Sequence, residues 1–294
     1  MVSKPRVVSI LKHGPLKGRE LYNLLTDNKV PRLDDAFNEI VDELWSICKS
    51  SEKIELRRID NRYLRIDKEL RGNRVYRLSP SIQREFMDYS VVGLKEDPRI
   101  DVAFARMREE LERNNKRKWE VVDDVLREII GRTPQKDKVL KDCCFIVAGD
   151  VALGMTNDLL RECGSTGELV KGSDLDVVVV FTDKSPKSER EGLDRVFHKA
   201  KWDLLRGPAK EELDYRIKDL AAVRRQAGMK NLDDTIASKV LWEGKFLFGA
   251  KDVFGSILEI LGESGATRKL QAYLAAARAN RRLEEQELLG RHLE

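Results

Sequence analysis

Lys171-Gly172-Ser173-Asp174-Leu175-Asp176-Val177-Val178-Val179-Val180-Phe181 is a charged, glycine-containing turn that runs into five apolar residues. The β-branched run reads as a strand buried on both faces. Asp174 and Asp176 lie two residues apart at its entrance, so the strand period of two points both side chains to one face. Paired carboxylates repel unless a cation lies between them. Oxygen ligands of this kind suit Mg²⁺ or Mn²⁺, which keeps waters and recruits substrate phosphates to complete its shell. Gly172 would let backbone approach a phosphate, Ser173 adds a hydroxyl donor and Lys171 adds positive charge.

Working outward, residues 136–250 alternate strand-like and helix-like segments. Cys144 to Ala148 is a second buried strand, and Leu213-Asp214-Tyr215-Arg216-Ile217 a third. Lys187 to Arg206 has helical spacing, as do residues 218–227, 233–243 and 251–289. Asn157 to Cys163 also reads as helix.

The Gly-Ser-Asp-x-Asp strand start, with an acid on a later strand, resembles the DNA polymerase β-like nucleotidyltransferase superfamily over about residues 145–250. That resemblance implies transfer of a nucleoside monophosphate from an NTP to a hydroxyl or phosphate with Mg²⁺. It makes Asp174 and Asp176 the first metal ligands and Asp214 the third acid, with Glu212 competing for that place. Two segments compete for the family's phosphate loop. Gly149-Asp150-Val151-Ala152-Leu153-Gly154 follows a strand but carries Asp150 where the family has serine. Gly164-Ser165-Thr166-Gly167 has the serine but follows a helical reading. An aspartate at 150 would repel a triphosphate. Lys218, read on the helix after Asp214, is the first choice for phosphate charge, with Arg224, Arg225 and Lys239 behind it.

Residues 6–49 read as three helices, broken at Gly14-Pro15 and reopened at Pro31. The period then changes to two at Ile54-Glu55-Leu56 and Tyr63-Leu64-Arg65-Ile66, with Asn61-Arg62 as the turn between them. Val75 to Leu78 is a third strand. Between Lys53 and Arg77 nine Lys or Arg face four acids, so positive charge gathers here. Three helices and a basic hairpin resemble a winged helix-turn-helix domain. The acidic third helix argues against insertion into a DNA groove. The resemblance therefore places nucleic-acid contact on the wing, at Arg57, Arg58, Arg62 and Arg65. The alternative is a solvated hairpin that contacts a second copy or a partner protein.

The fold class expected is α+β. A winged-helix-like domain spans 1–95, a helical linker 96–135, a small mixed-sheet nucleotidyltransferase domain 136–250 and C-terminal helices 251–294. At 41% apolar and 36% charged the composition supports a core. With no long apolar run and no signal-peptide pattern, the expected location is cytoplasmic, with no membrane contact. Cys48, Cys143, Cys144 and Cys163 lack metal-ligand spacing and read as reduced thiols. The acceptor stays open between nucleic acid, protein and small molecule. A DNA-binding regulator whose degenerate transferase domain senses a nucleotide is the second reading.

Overall fold

The computed structural model describes residues 2–26, 35–68, 74–164 and 166–291. Pro31, Ser165 and His292 lie outside them. The chain forms two units of mixed α and β structure. One comprises Met1–Glu110 with Tyr273–Glu294, and the other Leu111–Ala272. Residues 96–135 therefore divide between the units, because the helix Arg99–Gly131 contributes to both cores.

In the first unit the helices Lys4–Leu11, Gly18–Leu25, Asp35–Ser50 and Ile82–Tyr89 close on a core of Leu11, Leu44, Trp45 and Phe86. Leu288, from the helix Ala266–Arg291, completes that core. The expected hairpin across Asn61-Arg62 is not formed. Ile54–Arg58 pairs instead with Ser90–Leu94, which also pairs with Leu16–Lys17. The sheet order is thus Leu16–Lys17, Ser90–Leu94, Ile54–Arg58. Val91 and Val92 are buried there, and their burial outweighs the shorter loop of a local hairpin. The two-stranded ribbon joins Tyr63–Lys68 to Arg74–Ser79, with Leu64 opposite Leu78.

In the second unit four strands lie in the order Leu213–Asp219, Leu175–Phe181, Cys143–Val147, Lys245–Gly249. The first two are parallel and the other neighbours antiparallel. A parallel neighbour needs a crossover, and the helix Lys187–Arg206 supplies it. Leu193 and Phe197 of that helix bury one sheet face against Phe145, Val177, Val179 and Leu213. Val122, Leu126 and Ile129 of Arg99–Gly131 join the same core. Helices Leu220–Ala227, Leu232–Glu243 and Lys251–Glu263 follow the third strand. Asp219 and Asn231 cap the first two by accepting from Ala222 N and Asp234 N, each at 2.8 Å. The expected helix 251–289 is interrupted at Ser264-Gly265, where Gly265 takes φ +74°. Asn157 to Cys163 is not helical. Leu160–Glu162 pairs with Leu169–Lys171 in a small hairpin. No helix among the described residues is long and apolar enough to cross a membrane.

Candidate active site

Leu175, Val177 and Val179 point into the core, as do Leu213, Tyr215 and Ile217 on the neighbouring strand. Strand alternation therefore turns Asp176 and Asp214 to the opposite face. The register sets these two acids directly opposite one another. One step earlier, Leu175 N donates to Glu212 O at 2.8 Å, which brings Asp174 and Glu212 to the strand entrances on that same face. Burial first, and then nearby Asp214, Asp150 and Glu212, against the opposing pull of Lys239, together raise the Asp176 carboxyl to about 6.

The strand Cys143–Val147 ends opposite Val177, so the chain leaving it arrives beside Asp176. Ala148 N donates to Asp176 O at 2.9 Å. Gly149 follows at φ +61°, in the left-handed region. Asp150 accepts a hydrogen bond from Ser173 Oγ at 3.0 Å. The serine proposed to face a phosphate is therefore turned to Asp150. Gly172 has φ +62°, and a Cβ on it would fall 1.8 Å from Asn157 O. Close approach to that backbone accounts for this glycine without a phosphate. The Lys171 side chain is exposed at the end of the small hairpin.

Arg161, on the same hairpin, forms ion pairs with Asp174 and, at 2.8 Å, with Glu212. Its Nε also donates to Gly172 O at 2.8 Å. Cys163 Sγ donates to Glu212 Oε1 at 3.2 Å. Glu212 is thus engaged beside Asp174, while Asp214 is the acid that faces Asp176. Lys201 and Arg216 approach Asp214 at 3.8 and 3.9 Å. Lys218 is not on a helix but in the strand Leu213–Asp219, opposite Val180. Four residues of strand separate it from Asp214 by about 13 Å. Its Nζ donates to Gln226 Oε1 at 2.9 Å, and burial lowers its pKa to about 8. Arg224 is paired with Asp183 at 2.5 Å.

Among the described residues no group of three or more His, Cys, Asp or Glu is placed to hold a metal ion. The donor types nonetheless fit a hard divalent cation, since Asp176 and Asp214 share one face and the acids around Asp176 raise its pKa. Asp174 is held by Arg161 instead, so a third carboxylate ligand requires that ion pair to open.

No protein-family model, no curated protein and no solved structure matches this chain.

The arginines assigned to the wing are engaged within the first unit. Arg62 donates to both oxygens of Glu85, at 2.6 and 2.8 Å, and is 14% exposed. Arg58 pairs with Glu85 at 3.1 Å and with Glu285 at 3.0 Å. Buried Arg281 adds a third guanidinium at 3.3 Å from Glu85. Arg57 pairs with Glu55 and Asp101. Arg65, at 65% exposed, pairs with neighbouring Asp67 among the described residues. Arg161 and Lys118 are the functional candidates that the sequence reading overlooked. A basic residue inside a three-residue strand, or inside a long charged helix, carries no local signal of what it meets.

Proposed function

We propose that the unit Leu111–Ala272 is a metal-dependent nucleotidyltransferase. It would move a nucleoside monophosphate from an NTP to a hydroxyl or phosphate acceptor on a nucleic acid, a protein or a small molecule. The observation that carries this reading is the register of Asp176 against Asp214 on two parallel strands, with Asp174 at the entrance of the same face. Asp176 and Asp214, joined by Asp174 when Arg161 releases it, would hold Mg²⁺ or Mn²⁺. When bound, the cation supplies charge for the phosphates and polarises the attacking oxygen. Asp214 is the acid suited to accept the proton of an acceptor hydroxyl, because it is half exposed at the rim. Lys201 and Arg216 beside it provide the positive charge first assigned to Lys218.

Incubation with each labelled NTP, Mg²⁺ or Mn²⁺, and an extract of RNA and protein tests the reading. Label should move to an acceptor, and Asp176→Ala with Asp214→Ala should abolish the transfer. Binding of NTP without transfer favours the second reading, a nucleotide-sensing regulator. Two observations favour that alternative: Asp150 in place of serine, and Arg161 on Asp174. Neither binding nor transfer would refute both.

A further inference from the structure

Lys118 lies in the helix Arg99–Gly131 and its side chain has no solvent exposure. Removing an ammonium from water costs several kcal/mol unless its charge and its donors are met. All three donors are met here. Lys118 Nζ pairs with the Glu211 carboxylate, itself only 4% exposed, and donates to Lys171 O at 2.7 Å and Ser173 O at 3.0 Å. Those two carbonyls bracket Gly172, and the segment leads directly into Asp174 and Asp176.

Three residues earlier on the same helix face is Asn115. Its amide nitrogen donates to Gly154 O at 2.8 Å. Its amide oxygen accepts from Thr156 N at 2.9 Å and Thr156 Oγ1 at 2.6 Å. One helical face thus grips both chain segments that meet beside Asp176. One leaves the Gly149–Leu153 turn, and the other enters the strand Leu175–Phe181. Val122, one turn beyond Lys118, anchors that helix in the core.

We propose that Lys118 is a positioning residue for the acid site, fixing the Lys171–Ser173 backbone and so the placement of Asp174 and Asp176 against Gly149 and Asp150. Stability alone does not call for this lysine. Buried ion pairs are commonly replaceable by apolar side chains of like volume without loss of stability. Only a long donor reaches two carbonyls and a carboxylate together. The consequence for metal and nucleotide rests on the transferase reading; the consequence for the backbone does not.

Lys118→Met with Glu211→Leu removes both charges together and leaves the two carbonyls without their donor. In the full chain, amide hydrogen exchange over residues 171–176 should accelerate about tenfold more than over Cys143–Val147, with the thermal midpoint lowered by the two carbonyls left without a donor. Mn²⁺ affinity, read by titration without nucleotide, should fall about tenfold. Unchanged exchange at 171–176 overturns the proposal, as does loss of protection equally at 143–147. Exchange that rises as expected, in a wild-type chain that binds no Mn²⁺, sinks the transferase reading and leaves the positioning role standing. Should the double variant fail to fold, Lys118→Met alone carries the same test. It removes the donor from both carbonyls while buried Glu211 can take up a proton and stay neutral, and unchanged exchange at 171–176 would again overturn the proposal.

Discussion

A Cβ placed on Gly149 would fall 1.9 Å from Asp176 Oδ2. The backbone of one strand's exit and the carboxylate of its neighbour therefore share a space that no side chain can enter. Gly149→Ala must move Asp176 or the turn, and its φ of +61° adds strain of about 1–2 kcal/mol. We expect lower stability and loss of any Mn²⁺-dependent transfer. Gly262→Ala is the control, because a Cβ there meets nothing within 4 Å. Gly262 lies in the last turn of Lys251–Glu263, and an alanine there should be neutral or mildly stabilising. Urea denaturation of both variants checks the contrast.

Asp176 has its folded pKa raised from 3.8 to about 6. The fold thus favours the protonated acid. The stability from that preference is complete below the unfolded value and is lost as pH rises through about 6. Asp176→Asn should therefore stabilise the metal-free protein at pH 7.5 by up to ~3 kcal/mol. The gain should fade towards pH 4. Added Mg²⁺ stabilises only wild type under the proposed reading and should narrow the difference. Thermal unfolding at the two pH values, with chelator and with Mg²⁺, measures it. Equal gain at both pH values would contradict the assignment.

Under the proposed reading Arg161, which pairs with Asp174, would compete with a cation for it. Arg161→Ala should tighten apparent Mn²⁺ binding about fivefold, by removing a competitor from the binding-competent state. Weaker binding in that variant would mean that Arg161 supports the site rather than blocks it.

The arginines of the first unit separate into two groups. Glu85 is buried and meets Arg58, Arg62 and Arg281. Glu85→Ala leaves those guanidinium groups uncompensated and should destabilise by about 3–5 kcal/mol. Arg62→Ala should likewise act through stability. If nucleic acid binds this unit, Arg65→Glu should weaken binding and flatten its salt dependence without loss of stability. An electrophoretic shift across a salt series, set beside melting curves, distinguishes the two groups.

The acid site was legible where the signal was periodic. Asp174 and Asp176 stand at the entrance of a strand whose apolar run admits one reading, and Asp214 is the second residue of the next apolar alternation. Their mutual register was not legible, because it depends on how Lys187–Arg206 returns the chain to the sheet. Lys218 was misplaced for a related reason. The strand runs on to Asp219, whose carboxylate caps the following helix, so Lys218 stays extended and moves away from Asp214. Lys118 sits among Lys116 and Arg117, and nothing in its immediate sequence separates the buried cation from the solvated ones. The Ile54–Arg58 strand was recognisable, but its partner Ser90–Leu94 lies a helix and a hairpin away, beyond the reach of a local pattern.

The first unit is drawn from both sides of the second in the chain, since Leu288 belongs to the core that Val7 and Leu11 begin and Arg281 pairs with Glu85. A ribosome makes this chain from one end, and folding proceeds as segments emerge. The part of this core that Leu288 covers therefore stays open until the helix Ala266–Arg291 has been synthesised. The inserted unit can finish first. Until that last helix emerges, the open patch of residues 2–110 is the surface a chaperone would shield.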